Sequence, residues 1–238
     1  MSHPGYYETE AVRYDRSRGG DARAEAAAQA VREFLPEDAR LVLEVAGGTG
    51  IVGSRLGRTV FSVDRSPAMS AIAATRLPGR VLIGDASRLP LVTGAVDAVS
   101  IIWLLHLLPD AAPVIAEAAR VLRPGGTLIT TVHKSDAHYR TPDDVGDLLG
   151  PVHRSSGTDS VATLTELAER NGCTLTGRTT FTGLGQGRSP SQWQRYLAEP
   201  GNGWHDVGEL VGKLAELPDQ DRARSDPEFP VVAFTRLG

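Results

Sequence analysis

The chain has 238 residues, of which 41% are hydrophobic, and its 25 basic and 29 acidic side chains give a formal net charge of −4. This size suits one α/β domain with a modest insertion, and the charge offers no basic field that would attract nucleic acid. No apolar run approaches the ~18 residues of a membrane span, and no signal-like segment opens the chain, so we expect a cytoplasmic protein without a membrane partner. Cys173 is the only cysteine, which excludes an internal disulfide and a cysteine-based zinc site.

In chain order, the hydrophobic patterns predict alternating helices and strands. An alanine- and glutamate-rich helix is expected over about residues 21 to 35, ending before Pro36. The predicted strands lie near 41–45, 59–63, 81–84, 97–102 and 126–133, and the helices between them near 49–57, 66–75 and 110–121. Strands joined by helical crossovers imply a parallel sheet with right-handed connections and helices on both faces.

The last third of the chain has a different pattern. After a predicted loop at 134–157 we expect a helix, a strand, a long insertion and a final strand, at 159–170, 173–181, about 183–228 and 229–235. The insertion contains two predicted short helices, 191–198 and 205–217, around a turn at 200–203. It is a candidate lid over an acceptor, on which Trp193, Tyr196 and Trp204 would stack. The alternative is a structural cap on an edge strand or a contact in a homodimer.

The most informative segment is residues 41–50, where a buried-strand pattern runs into a glycine-rich turn with Glu44 at the junction. The letters from Gly48 to Gly53 also satisfy the dinucleotide fingerprint, which would place a pyrophosphate at a helix N-terminus. Glu44 argues against that ligand, because a carboxylate repels a pyrophosphate and attracts a cationic amino group. S-adenosylmethionine carries such a group, and its site needs no phosphate contacts.

Two further acids follow predicted strands. Asp64 ends the second strand and would accept both ribose hydroxyls; its alternative role is to cap the next helix, although Ser66 before Pro67 is the better cap. Asp85 follows the third apolar run and would accept a hydrogen bond from the adenine amino group. The sequence therefore predicts three acids around one nucleoside.

These motifs, in this order, resemble the class I S-adenosylmethionine-dependent methyltransferases, in particular the small-molecule branch that includes the ubiquinone/menaquinone-type enzymes. The resemblance covers roughly residues 10 to 135. Its motifs are Glu44 to Gly50, Val63-Asp64, Gly84-Asp85-Ala86 with Leu89-Pro90, Asp97 to His106, and Val121 to Leu128. One position departs from the family, which usually has glycine where this chain has Ala46, so a Cβ must fit where backbone and ligand come close.

The resemblance implies a Rossmann-like, doubly wound, mostly parallel seven-stranded sheet with an antiparallel last strand beside the fifth. It also implies a single domain made of an N-terminal helical cap (1–35), a cofactor-binding core (36–135) and an acceptor-side half (136–238). Near the N-terminus, Tyr14-Asp15-x-x-Arg18 is similar to a segment that folds over the cofactor. The implied cofactor-binding residues are Tyr14, Arg18, Glu44, Ala46, Gly47, Gly48, Asp64, Arg65, Met69, Gly84, Asp85, Ala86, Ile102 and Trp103.

Methyl transfer asks for alignment, desolvation and, with a weakly acidic acceptor, a base. The candidate bases are His106 after the fourth strand and His133 after the fifth, with His138 as a further candidate in the same loop. The spacing of His133 and His138 is a poor metal signature, and no metal is predicted. We therefore expect methyl transfer to a small molecule. The alternatives are a cofactor-binding regulator or an enzyme that uses the cofactor for another reaction, and a nicotinamide-dependent oxidoreductase.

Overall fold

The computed structural model describes residues 6–154, 157–200, 204 and 206–238. The strands are β1 (Leu41–Val45), β2 (Thr59–Asp64), β3 (Val81–Ile83), β4 (Val96–Ile101), β5 (Leu122–Thr131), β6 (Cys173–Thr182) and β7 (Glu228–Arg236). The longer helices are α1 (Tyr6–Ser17), α2 (Gly20–Arg32), α3 (Pro67–Arg76), α4 (Ala112–Val121), α7 (Val161–Arg170), α8 (Pro190–Ala198) and α9 (Gly208–Glu216). Two shorter helices, α5 (Lys134–Ala137) and α6 (Asp144–Leu149), follow β5.

The seven strands form one sheet in the order β3-β2-β1-β4-β5-β7-β6. Strands β1 to β5 are parallel to one another, whereas β7 runs antiparallel to β5 on one side and to β6 on the other. The predicted mostly parallel sheet with an antiparallel last strand is confirmed. Since the strand order reverses between β1 and β4, the carboxyl ends of these two neighbouring parallel strands flank the crevice in which such sheets bind ligands.

Helices cover both faces of the sheet because consecutive β1 residues point to opposite sides. Leu43 belongs to the apolar cluster that includes residues of α4 and α7, and Val42 to the cluster that includes the alanines of α2. Both side chains are fully buried. A strand buried on both faces reads as a continuous apolar run, which is why β1 was recognisable in the sequence.

The predicted helix at 49–57 was wrong, since only a short 3-10 turn forms there, over Gly53–Arg55. Gly50 and Gly57 have positive φ angles of 69° and 64°, which α-helix excludes. The Gly53 N–H donates to Glu44 Oε1 at 2.8 Å rather than to a backbone carbonyl. The acid at the end of β1 therefore holds this segment as a turn.

The predicted loop at 134–157 contains α5 and α6, and the predicted helices of the insertion are α8 and α9. Helices α6, α8 and α9 pack on one another through a separate apolar cluster that includes Tyr139, Leu149, Trp193 and Leu214. Residues 201–203 of the predicted turn and His205 of the predicted second helix lie outside the described residues. In the part of the chain that the structure describes, each helix is too short or too polar to cross a membrane.

Candidate functional site

A cavity of about 570 Å³ opens at the carboxyl ends of β1, β2, β3 and β4. The turn after β1 supplies residues 46–49 of its wall, and the ends of β2 and β3 supply residues 63–65 and 84–87. The segment after β4 adds an apolar side that includes Leu104, Leu107 and Leu108. This volume lies in the range of sites that enclose small molecules.

Helix α1 closes the cavity from above, where Tyr7 and Tyr14 line it. Glu8 attaches α1 to the start of α3, since its carboxylate accepts from the Ser66 hydroxyl at 2.5 Å and from the Ala68 N–H at 3.2 Å. Asp15 attaches the other end of α1 to the glycine-rich turn by accepting from the Thr49 hydroxyl at 2.6 Å. The predicted folding of the N-terminal segment over the site therefore has a structural basis in two acidic side chains.

Glu44 is the most perturbed acid of the cavity wall. Its side chain is 2% exposed, and Oε2 has no hydrogen-bond partner among the described residues. Burial raises the pKa of Glu44 to about 8, against the opposing effects of the Gly53 N–H and the Ser62 hydroxyl. A buried acceptor in this state would be stabilised by a cationic donor placed in the cavity.

The other two acids are fixed by local backbone donors. Asp64 accepts from the Gly48 N–H and the Ser66 N–H, both at 2.8 Å, so it joins the glycine-rich turn to the start of α3. Asp85 accepts from the Ser87 hydroxyl and N–H, both at 2.7 Å, and these bonds lower the pKa of Asp85. Each ionised oxygen can accept more than one hydrogen bond, so both carboxylates retain capacity for ligand hydroxyl or amino groups.

Two non-glycine residues of the wall have left-handed backbone conformations. Ala46 follows β1 with φ 53°, and Trp103 follows β4 with φ 63°. The Trp103 N–H donates to Thr131 Oγ1 at 3.0 Å, which helps to hold its conformation. Strained residues cluster at binding sites, and these two flank the crevice between β1 and β4.

Replacing Ala46 with glycine is expected to raise the free energy of unfolding by ~1 kcal/mol, because glycine accepts positive φ without the Cβ penalty. Thermal or urea unfolding measures this change. Ala74→Gly, on the exposed side of α3, is the matched control and should destabilise by a similar amount. Equal destabilisation by both substitutions would show that Ala46 carries no strain.

Arg23 is a basic wall residue that was not predicted from the sequence. It lies on α2 among alanines, is 3% exposed, and stacks its guanidinium on the Trp103 ring with 3.8 Å from Cζ to the ring centroid. Arg23 could have been recognised in the sequence because it lies on the same helix face as Ala27 and Ala30. Small apolar residues at this spacing indicate a buried face, on which an arginine is unusual.

Thirteen of the fourteen predicted cofactor-binding residues line the cavity, and Arg18 does not. Arg18 directly follows α1, with its guanidinium 5.8 Å from the Tyr14 ring centroid. The residues that do line it are Tyr14, Glu44, Ala46, Gly47, Gly48, Asp64, Arg65, Met69, Gly84, Asp85, Ala86, Ile102 and Trp103.

Neither predicted catalytic histidine lies in the cavity wall. Burial lowers the pKa of His106 to about 3, so its ring is neutral, and its Nδ1 has no partner among the described residues. His133 is directed elsewhere, with Nδ1 3.3 Å from Asp136 Oδ2 and Nε2 3.4 Å from the Val161 N–H. The catalytic role of both residues stays a prediction that this geometry does not favour.

The insertion also contributes no described residue to the wall, so the predicted stacking of its aromatic residues on an acceptor has no support here. Trp193 is 3% exposed and packs edge-on against Tyr196. The insertion instead contacts the connection between α1 and α2, because Gln186 Nε2 donates to the Arg18 carbonyl at 3.3 Å. It thereby braces the turn that positions the start of α2.

The polar groups of the wall fit an amino-acid nucleoside better than a dinucleotide. Glu44 offers a buried acceptor for an ammonium group, whereas Asp64 and Asp85 offer oxygens for hydroxyl and amino donors. Met69 and Ile102, which are 2% and 6% exposed, supply apolar contacts. A pyrophosphate in the same cavity would face the side chains of three acidic residues.

Comparison with known proteins agrees with this assignment. Residues 43–130 match the family model described as a methyltransferase domain. Among curated proteins, the chain is 37% identical over 126 residues to the uncharacterized methyltransferase Rv3342 of Mycobacterium tuberculosis, covering 51% of each. The chain thus spans about half the length of the first curated relatives it matches.

A longer match is to the demethylmenaquinone methyltransferase of Mycolicibacterium vanbaalenii, 35% identical over 192 residues, which are 78% of this chain and 71% of that protein. Among solved structures, a Thermotoga maritima protein described as an S-adenosylmethionine-dependent methyltransferase, possible histamine N-methyltransferase, shares the fold with a TM-score of 0.59. It is 22% identical, and the match covers 97% of this chain and 98% of that one. The chain belongs to the S-adenosylmethionine-dependent methyltransferase family.

Proposed function

We propose that this protein transfers a methyl group from S-adenosylmethionine to a small-molecule acceptor. The observation that carries the proposal is the convergence of Glu44, Asp64 and Asp85, from the ends of three neighbouring strands, on one cavity beside a glycine-rich turn. That set supplies acceptors for the ammonium, ribose and adenine donors of one ligand. The apolar wall after β4 leaves room for the body of an acceptor.

The residues would divide the work as follows. Glu44 would pair with the ammonium group, Asp64 would accept from the ribose hydroxyls, and Asp85 with Ala86 would contact the edge of the adenine. Tyr14 of α1 would keep water out of the reacting region. When bound, the cofactor supplies a sulfonium methyl already activated toward nucleophiles, so the protein's task is chiefly alignment and desolvation.

The acceptor class is supported by charge and by a relative. A net charge of −4 does not favour a polynucleotide, and the longer curated match is a protein named for methylating demethylmenaquinone. The leucines at 104, 107 and 108 form an apolar wall that suits a ring or chain of similar character. A demethylmenaquinone analogue with a short side chain is therefore the first acceptor to test.

Parallel isothermal titrations with S-adenosylmethionine, S-adenosylhomocysteine and NADH test the cofactor class. Binding of the first two alone supports the proposal, and binding of NADH alone would contradict the reading of Glu44. Release of S-adenosylhomocysteine with a panel of acceptors then tests transfer itself.

A second candidate, a protein that binds the cofactor without transferring its methyl group, is favoured by one observation. Neither His106 nor His133 reaches the cavity wall, and the described residues of that wall include no histidine that could act as a base. Fold does not fix the reaction. Tight cofactor binding without release of S-adenosylhomocysteine across the acceptor panel would select this alternative.

Replacing Asp64 with alanine is expected to weaken cofactor binding by roughly 1–3 kcal/mol, because charge-assisted hydrogen bonds to the ribose are lost. The change also releases the Gly48 N–H, so calorimetry should be run well below the melting temperature of the variant. His106→Ala is the comparison and should spare binding, since His106 lies outside the cavity wall. Wild-type affinity in Asp64→Ala would refute the ribose assignment.

A further inference from the structure

A row of three buried polar residues crosses the sheet beneath the glycine-rich turn. Glu44 of β1 pairs in register with Ser62 of β2 on one side and with Ser100 of β4 on the other. Directly paired residues of neighbouring parallel strands point to the same face of the sheet, so the two hydroxyl groups flank the carboxyl group. Both serines are fully buried, and Glu44 is 2% exposed.

Packing alone does not call for hydroxyl groups at these positions. Two residues earlier, the same face of the same three strands carries Val60, Val42 and Ala98, all fully buried. That level shows that the face accommodates small and branched apolar side chains. Polar side chains begin at the level of Glu44, where a buried hydroxyl group is costly unless it is hydrogen-bonded.

Each member of the row has an atom without a hydrogen-bond partner among the described residues, namely Ser62 Oγ, Ser100 Oγ and Glu44 Oε2. The other carboxyl oxygen, Glu44 Oε1, accepts from the Gly53 N–H. Ser62 Oγ and Glu44 Oε2 approach the same point, since a Cβ on Gly47 would overlap the first and lie 2.6 Å from the second. Buried donors without an acceptor are expected to find one in another protonation state of the site.

The ionised form of Glu44 supplies such an acceptor. A protonated carboxyl group carries its own O–H donor, whereas a carboxylate only accepts and offers about four lone-pair sites. Burial raises the pKa of Glu44 to about 8, so the protonated form predominates at pH 7. The Ser62 hydroxyl acts in the opposite direction, which shows that it is within reach of the carboxyl group. Ionisation therefore favours hydrogen bonds from the serines.

The charged side chains around Glu44 do not replace these donors. Asp64, at the end of β2, raises the pKa of Glu44 by repulsion. Arg55, in the 3-10 turn, is paired with Asp21 at 2.6 Å. Arg23 of α2 lines the same cavity and is unchanged in every variant used below. A carboxylate at position 44 thus depends on donors from the backbone, from the two neighbouring strands and from the ligand.

We propose that Ser62 and Ser100 are positioning residues that stabilise the ionised form of Glu44 from the two neighbouring strands. The inference rests on the proposed function, in which the ammonium group of the cofactor pairs with that carboxylate. On binding, the carboxyl group releases its proton to solvent, and the two hydroxyl groups turn to donate to its oxygens. The serines thereby set the pH range over which the cofactor binds, without touching the ligand.

The first test measures the pKa of Glu44 from the pH dependence of its carbon-13 carboxyl resonance, which is assigned by its absence in Glu44→Gln. Ser62→Ala and Ser100→Ala are each expected to raise the titration midpoint by roughly 0.5–1 pH unit, because a donor to the carboxylate is lost. Ser70→Ala is the matched control and should leave the midpoint unchanged. Ser70 lies on α3, is 5% exposed, and its hydroxyl also has no partner among the described residues.

A second pair of variants separates the hydroxyl group from packing. Ser62→Thr and Ser62→Val introduce side chains of nearly the same size and shape, both suited to a strand, and only threonine keeps the hydroxyl group. The midpoint should stay near that of wild type in Ser62→Thr and rise in Ser62→Val. Equal midpoints in these two variants, or no rise in Ser62→Ala and Ser100→Ala beyond that in Ser70→Ala, overturn the proposal.

The third measurement follows the proton during binding. At pH 8 wild-type Glu44 is about half protonated, so binding of S-adenosylhomocysteine should release about half a proton. In Ser62→Ala and Ser100→Ala, calorimetry in buffers of different ionisation enthalpy should count a larger release, with an affinity at pH 7 that is roughly three- to tenfold lower. A merely structural role of the serines would lower the affinity and leave the proton count unchanged.

The two hypotheses fail separately. If wild-type protein does not bind S-adenosylhomocysteine, the proposed function fails, while the carboxyl titrations still report on Ser62 and Ser100. If wild type binds S-adenosylhomocysteine and the midpoint for Glu44 is the same in every serine variant, only the role of the serines is refuted.

Discussion

Replacing Glu44 with glutamine is expected to remove a fall in unfolding free energy that the wild-type protein undergoes between pH 4.5 and about 8. Burial raises the folded-state pKa of Glu44 above its value of 4.5 in the unfolded chain, so the folded protein holds a proton that the unfolded chain has released. Stability from this group is fully present below pH 4.5 and is lost as the pH rises through about 8. The total change is on the order of 3–5 kcal/mol.

Urea unfolding of wild type and Glu44→Gln across this pH range measures the difference between their unfolding free energies. The contributions of the other titrating groups cancel in that difference. Glutamine keeps an oxygen that can accept from the Gly53 N–H, so the turn after β1 should survive. Parallel stability curves for the two proteins would mean that Glu44 is ionised in the folded state at neutral pH.

The same linkage makes a prediction for binding. At pH 7 the carboxyl of Glu44 is mostly protonated, and an ammonium group beside it would favour the ionised form. Binding of S-adenosylhomocysteine should therefore release up to one proton in wild type and none from this position in Glu44→Gln. Calorimetry in buffers of different ionisation enthalpy counts that proton, and equal counts in the two proteins would place the ammonium group elsewhere.

The strands and the acids could be predicted because their signals are local. β1 and β4 are buried on both faces and read as apolar runs, and parallel topology brings their carboxyl ends together whatever the loops do. An acid near the carboxyl end of a parallel strand, or just beyond it, is thereby placed at the ligand edge. This is why Glu44, Asp64 and Asp85 all line one cavity.

The remaining features depend on tertiary contacts that no local pattern encodes. The turn at 53–55 replaces a helix because a side chain nine residues earlier takes its N–H, and α1 is attached to the core by Glu8 across 58 positions. The helical pattern of α2 indicates a buried face, but it does not indicate that Arg23 of that face meets Trp103. The directions of the His106 and His133 side chains could not be predicted from the sequence either, because an irregular segment separates each residue from the strand before it.

The glycine at position 47 is expected to be intolerant of even one added carbon. A Cβ there would overlap Ser62 Oγ and lie 2.6 Å from Glu44 Oε2, and both neighbouring side chains are buried. Accommodating the methyl group would push the Glu44 carboxylate away from the Gly53 N–H. We expect Gly47→Ala to cost ~1–3 kcal/mol for overpacking, plus ~1 kcal/mol or more if that buried hydrogen bond is lost.

Chemical unfolding tests this cost, with Gly212→Ala as the matched control. Gly212 lies within α9, where an added Cβ meets no atom within 4 Å, so the same change should stabilise the helix by up to ~1 kcal/mol. Ser62→Ala removes one of the two overlapping atoms, and Gly47→Ala should therefore cost less in that background than in wild type. If the effects of Gly47→Ala and Ser62→Ala on the free energy of unfolding were additive, the added methyl group would not be in contact with Ser62. The turn after β1 would then have moved to make room for it.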